Sequence, residues 1–181
     1  GSARPGNYTG KVLAIARDEL LAQDVTVDRV EPAHLSLPMP GVASDAPVLR
    51  DLHDRIAAAD GVMLATPLYN GSYSSVIKLL IDNLGYPSAL TGKPVALLGG
   101  AAGPSGAAAA SEHLQAVCVH VQANVLPAPL SIASVWESFD EHGACRQSEV
   151  EAAIRNLARQ LAAYIEDFLR PLAAINDGDA P

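Results

Sequence analysis

Aromatic side chains are scarce in this chain: one Trp, five Tyr and two Phe amount to 4% of 181 residues, although 49% of the residues are hydrophobic. The core must therefore be built from Ala, Val, Leu and Ile, a composition that suits helices lying close on a sheet. Positive charge is short as well. Twelve Lys and Arg stand against twenty Asp and Glu, a formal charge of −8, which argues against nucleic acid or an anionic membrane surface as partner. Cysteine is limited to Cys118 and Cys145. The pair fits a reducing compartment and has no metal-ligand spacing, so no metal is expected. No apolar run reaches membrane-spanning length, and a cytoplasmic location is expected. The length fits a single domain, expected over residues 1–174, with a frayed tail over residues 175–181.

What the chain does have begins at its first residue. Gly1-Ser2-Ala3-Arg4-Pro5-Gly6-Asn7-Tyr8-Thr9 runs into a helical pattern that starts near Gly10 or Lys11. The first-turn amides of a helix lack partners and its dipole favours an anion, so this segment has the makings of a phosphate loop. Arg4 adds a fixed positive charge that can grip two phosphate oxygens.

Helical and strand patterns then alternate. Residues 11–22 carry Val12, Ile15, Ala16 and Leu20 on one helical face. Val25, Val27 and Val30 read as a short strand, and the proline-rich stretch 32–47 as an irregular connection. Leu49, Leu52, Ile56 and Ala59 mark a second helix, and residues 61–66 a buried strand. Residues 73–84, from Tyr73 to Leu84, form a third helix that is apolar nearly all round, which predicts burial on two sides, the second against another copy of the chain. A strand over 95–98, a helix carrying Leu114, Val117, Cys118 and Val121, a last strand over 124–132 and a long helix from Val150 to Phe168 complete the series.

Such alternation implies a parallel sheet covered on both faces, wound in both directions by right-handed crossovers. A central first strand is expected ahead of Gly1, about five or six residues long. The alternative is that Gly1 and Ser2 are a remnant of cloning. In such sheets ligands bind beyond the carboxyl ends of the strands. Three loops belong at that edge: residues 1–9, residues 66–72 and residues 99–106. The second offers Pro67, Leu68, Tyr69, Asn70 and Gly71, an aromatic face beside an amide and an approachable backbone. The third, with Gly99, Gly100 and Gly103, is almost free of side chains, so a flat ring can lie on its backbone. A phosphate cradle at one end and a seat for a planar polar ring at the other describe a mononucleotide site.

At these residues the chain resembles the NAD(P)H-dependent FMN reductase family. Gly1, Ser2, Arg4 and Thr9 match its phosphate loop, with Asn7 where the family usually has Ser. Pro67-Leu68-Tyr69-Asn70-Gly71-Ser72, then Ile77-Lys78 and Ile81-Asp82, follow its second motif. Gly92-Lys93-Pro94-Val95 and the stretch Phe139 to Gly143 also fit. Leu68 departs from the usual Glu, and Ser74-Ser75 from a frequent Pro-Gly. The stretch Tyr73 to Lys78 is similar to the branch that supplies reduced flavin to sulfonate monooxygenases. The helix near Ser111 lacks the extra residue of that branch, which leaves the subfamily open.

The resemblance implies a flavodoxin-like, doubly wound, five-stranded parallel sheet of order 2-1-3-4-5. It implies FMN as cofactor, NADPH or NADH as donor, a small acceptor (free flavin, quinone, azo compound or metal oxyanion) and a homodimer or homotetramer. Ser2, Arg4, Asn7, Tyr8 and Thr9 are then assigned to the phosphate. Pro67, Leu68, Tyr69, Asn70 and Gly71 go to the edge of the ring, and Gly99, Gly100 and Gly103 to its flank. The first step, hydride transfer to flavin, requires no acid–base residue, so no catalytic side chain is assigned. A flavin-binding electron carrier that does not oxidise NAD(P)H is the alternative. Plainer readings accompany the other candidates: His113 and His120 as exposed helix positions, Trp136 and Phe139 as packing residues, and Lys78 with Asp82 as a one-turn ion pair.

Overall fold

Strand β2 (Pro94–Gly100) is the axis of the molecule, and all but its last residue are buried. On one side it pairs in parallel with β1 (Val62–Pro67), in the register Val62 to Val95 through Pro67 to Gly100. On the other it pairs, also in parallel, with two short pieces, β3 (Asn124–Val125) and β4 (Leu130–Ile132). The computed structural model describes residues 1–42 and 46–169. The tail expected at 175–181, the domain end expected at 174 and the Phe168 side chain lie outside the described residues.

The helices divide between the two faces because strand side chains alternate. Val62, Leu64, Val95 and Leu97 point to the face covered by α2 (Pro47–Ala58), α3 (Ser75–Asp82) and α4 (Ala108–His120). Ala65, Ala96 and Leu98 point to the face covered by α1 (Tyr8–Leu21) and α5 (Ser148–Tyr164). The expected α/β sheet with helices on both faces is therefore observed. Glu19 of α1 accepts hydrogen bonds from Arg155 and Arg159 of α5 at 3.3 and 2.8 Å, which ties these two helices together.

Several expected boundaries change, each for a local reason. Asn7 is the N-cap of α1, its side-chain Oδ1 accepting from Gly10 N at 2.7 Å, so Tyr8 and Thr9 are helical and not part of the loop. β2 runs two residues further than expected, so Gly99 and Gly100 are strand residues. The strand expected over 124–132 is broken in two where Pro127 and Pro129 flank Ala128, whose φ is 57°. The third helix is shorter than its apolar pattern: Tyr73 precedes it, Ser74 caps it by accepting from Ile77 N, and Leu84 follows it. Its inner residues Ile77, Leu80 and Ile81 are buried, whereas Val76 and Leu79 are half-buried and Lys78 pairs with Asp82 at 2.6 Å. It thus has two distinct faces.

The described residues form four strands, not the expected five in the order 2-1-3-4-5: the segment 25–30 is not a strand, and the one expected over 124–132 counts as β3 and β4. Its side chains do alternate, Val25, Val27 and Val30 half-buried and Thr26 and Asp28 exposed, but it forms no ladder. It is fastened to α2 instead. Arg55 donates from Nε and Nη2 to the two Asp28 carboxylate oxygens at 2.7 and 2.6 Å, and from Nη2 to the Arg29 carbonyl at 3.2 Å. The edge of β1 that faces away from β2 receives Gly1, whose N–H donates to Ala65 O at 2.8 Å.

Two contacts fix how tightly the helices seat. Lys93 donates to the Ala57 and Ala59 carbonyls at 2.8 and 2.6 Å, closing the C-terminal end of α2 against the start of β2, and burial pulls its ammonium below the usual lysine range. Gly99 lies so close to α4 that a Cβ there would stand 2.7 Å from Ser111 Oγ and 2.8 Å from Ala107 Cβ. A Gly99→Ala chain is expected to lose about 1–3 kcal/mol of stability, the usual cost of overpacking, in urea unfolding. An unchanged midpoint would show that α4 can move away freely. The thiols offer a second check. Cys118 is fully buried and its thiol is pushed up to about 12 by burial, whereas Cys145 is partly accessible. A thiol-reactive chromogenic disulfide should titrate Cys145 in the native chain and Cys118 only after denaturant is added.

Candidate functional site

The loop ahead of α1 and the loop after β1 are joined side chain to side chain. Ser2 is 2% exposed, and its hydroxyl lies 3.2 Å from the Tyr69 hydroxyl and 3.3 Å from Arg4 N, which donates to it. The Arg4 guanidinium stands over the Tyr69 ring, 5.3 Å from its centroid. Asn7 closes the loop from within, donating from Nδ2 to the Arg4 carbonyl at 2.8 Å while its oxygen caps α1. Asn7 therefore shapes the cradle, and Ser2 and Arg4 offer donors to an anion. The amides of Tyr8 and Thr9, in the first turn, have no intrahelical carbonyl within reach. The rest of Tyr8 looks the other way: its ring packs on Phe139 at 6.0 Å, with Lys11 Nζ 4.8 Å above it. Thr9 is buried in the helix.

The second loop is a tight hairpin. Tyr69 N donates to Ser72 O at 2.8 Å and Ser72 N to Tyr69 O at 3.0 Å. Asn70 and Gly71 sit between them with φ of 48° and 82°, the left-handed pair that a type I′ turn requires. No heavy atom lies within 4 Å of where a Gly71 Cβ would stand, so the tip is open to a ligand. Leu68 N donates to Gly100 O at 2.9 Å and carries the β1–β2 pairing beyond Pro67. The Leu68 side chain packs on Ala101, Ala107 and Ala110, an apolar seat for which leucine suits better than the expected family glutamate. Ser74 also gains a use: its hydroxyl donates to the Gly1 carbonyl, and its N–H donates to Thr66 Oγ1 at 3.0 Å.

In the third loop the three glycines part company. Gly99 faces α4 and serves helix packing. Gly100 faces Val135, with 3.5 Å of clearance for a Cβ. Gly103 has open space around it, and its carbonyl accepts from Ser134 N at 3.0 Å. The structure thus brings Ser2, Arg4, Tyr69, Asn70, Gly71 and Gly103 to the carboxyl edge of the sheet, and withdraws the side chains of Tyr8, Thr9 and Leu68 from it.

Two residues given plainer readings stand closer to these loops than expected. His113, exposed on α4, meets Ser72 Oγ with Nδ1 at 3.0 Å. Trp136 is 52% exposed, with its indole N–H donating to Ala102 O at 3.2 Å, whereas Phe139 is buried in the core. Nothing in local sequence marks His113, since the contact joins residues 41 positions apart. Ser74 is different: a serine just ahead of an apolar helical run is a readable cap signal. Among the described residues no helix is long and apolar enough to cross a membrane.

Comparison with known proteins bears on the fold and the family. The chain is 33% identical over 100 residues to the FMN reductase (NADPH) of Escherichia coli strain K12, a match covering 52% of this chain and 50% of that protein. It spans about half the length of the curated relatives it matches. FerB of Paracoccus denitrificans, a flavoenzyme NAD(P)H:(acceptor) oxidoreductase, superimposes with a TM-score of 0.79 at 25% identity, over 92% of this chain and 94% of that one. A flavodoxin from the domain Archaea superimposes with a TM-score of 0.62 at 12% identity, over 90% of this chain and 94% of that one, and shows the shared fold alone. The fold is flavodoxin-like. The model of the NADPH-dependent FMN reductase family matches residues 1–137, and the chain belongs to that family.

Proposed function

We propose that the chain is an FMN-dependent NAD(P)H oxidoreductase that passes electrons to a small acceptor such as free flavin, a quinone, an azo compound or a metal oxyanion. The observation that carries this reading is the Ser2–Tyr69 contact, with Arg4 over the same ring: it sets an anion cradle against an open hairpin. A flavin mononucleotide fits those parts. The buried Ser2 hydroxyl, the Arg4 guanidinium and the first-turn amides of α1 suit its phosphate. The Tyr69–Ser72 hairpin and the backbone at Gly103 suit its ring.

When bound, FMN supplies the two-electron chemistry that amino-acid side chains lack. The chain's own work is binding, orientation and the exclusion of water. Arg4 and the helix dipole neutralise phosphate charge in a protein of net charge −8. The I′ turn holds the backbone of Asn70 and Gly71 in one geometry, and Leu68 with its alanines keeps the floor apolar. No side chain is assigned a proton transfer.

The same reading includes self-association through α3. Val76 and Leu79 are half-buried on its outward face. At its end Asn83 donates to Pro38 O at 3.1 Å, and the neighbouring positions Met39 and Tyr86 are exposed. A dimer or tetramer would cover this apolar strip.

Arg4→Ala should weaken FMN binding by about 1.5–3 kcal/mol, the range for hydrogen bonds to charged groups, in a flavin-fluorescence titration. Unchanged affinity would remove Arg4 from the site. Stopped-flow reduction of the FMN-loaded protein tests the activity. Rapid bleaching of the flavin absorbance by NADPH or NADH is expected, and its two rates rank the donors. Reduction too slow to support turnover with either donor would leave an electron carrier in place of the enzyme.

A further inference from the structure

A groove of about 610 Å3 opens beside the phosphate loop, and no residue from 66–72 or 99–106 lines it. Its walls are the loop from Ser2 to Asn7, Gly10 and Ala14 on α1, and the stretch that carries Arg29, Glu31 and His34. A flavin ring seated on the Tyr69 hairpin and the Gly103 loop leaves the cradle toward residues that form none of these walls. The groove is then still open to another part of a ligand.

Arg29 gives it a chemical character. The guanidinium lies against the first turn of α1, where a Cβ on Gly10 would come within 3.1 Å of Arg29 Nη2. The missing side chain at Gly10 is what lets it settle there. Arg4 and Lys11 turn their charges over the Tyr69 and Tyr8 rings, so Arg29 is the guanidinium that belongs to this groove. Glu31 accepts from Arg29 Nη2 at 2.8 Å. A guanidinium carries five N–H donors, and the planar fork suits a phosphate better than a single carboxylate contact uses it. With Arg4 and Lys11 engaged over the rings, the charged and titratable groups left on the groove wall are Arg29, its partner Glu31 and His34.

We propose that the groove is a subsite for a second nucleotide phosphate, carried in addition to the flavin's own, with Arg29 as its handle. The proposal rests on the FMN reading of the first loop. Two ligands bring such a group: a nicotinamide donor with a 2′-phosphate on its adenosine, and a flavin extended to the adenine dinucleotide, whose second phosphate follows the first directly.

Calorimetric titration with 2′,5′-ADP and with 5′-AMP tests the first source, and fluorescence titration with FAD and with FMN tests the second, each on the native chain, Arg29→Ala and Arg29→Lys. In at least one pair the ligand with the additional phosphate should bind about tenfold tighter or more, as a charged hydrogen-bonded pair implies. That preference should vanish in Arg29→Ala and persist in part in Arg29→Lys, with FMN affinity held within about twofold. Preference for 2′,5′-ADP identifies the nicotinamide donor as the source, and preference for FAD identifies the flavin. Equal binding within both pairs overturns the proposal. So does a fall in FMN affinity in Arg29→Ala as large as the loss of preference, because Arg29 would then belong to the flavin phosphate site. A native chain that binds no FMN counts against the function proposed above, and the 2′,5′-ADP comparison still decides whether the groove holds a phosphate.

Discussion

Strand β2 is covered on both faces and paired on both edges, and every other element takes its place from it. Six of its seven residues are buried, so α4 on one face and α1 with α5 on the other must come close enough to exclude water. Gly99 marks how close: a single methyl group there would collide with Ser111 and Ala107. That spacing sets where α4 begins, and hence how Leu68 finds its alanine seat. Val62 through Pro67 follow β2 in unbroken register, so the ends of both strands lie level. The loops that leave those ends meet for this reason.

At that meeting the chain uses polar contacts to do what a larger core would do elsewhere. The loop before α1 is held by Asn7 from inside, by Ser74 through the Gly1 carbonyl, and by Tyr69 through Ser2. Each tie engages a group that would otherwise be left without a partner in a crowded place. The result is a cradle held from three sides, next to a hairpin whose tip has open space at Gly71. Such an arrangement suits a ligand with an anionic end and a planar end. It is also the part of the structure that overlaps the family match over residues 1–137.

Much of the local structure is legible in the sequence. The glycine, serine and arginine ahead of a helix point to the anion site proposed here, because helix N-termini lack partners wherever they occur. Asn70-Gly71 after a buried strand announced a turn that accepts positive φ, and the structure has it. Harder to read was the division of labour inside each loop. Asn7 and Arg4 look equally fit for a phosphate in sequence, yet the Asn7 oxygen is already engaged with Gly10 N. Gly99, Gly100 and Gly103 look alike, yet the first serves α4, the second faces Val135 and the third is open. Valines at 25, 27 and 30 alternate as a strand should, and alternation does predict which side chains are half-buried. A ladder, however, needs a neighbour at hydrogen-bonding distance, and Asp28 finds Arg55 on α2 instead.

The sequence by itself determined the class of fold, and it supplied the residue types at the sheet edge where a ligand is proposed. These follow from periodicity, punctuation by glycine and proline, and residue type, which are local properties. Only the tertiary structure decided which side chains remain available to a ligand and which are consumed in holding the loops. It also decided that His113 reaches Ser72, 41 residues away, and that Arg29 lies against Gly10. Those outcomes depend on how near two distant segments are brought by the packing of α1 and α4 around β2. Proximity of that kind is a property of the whole core and leaves no mark on either segment alone.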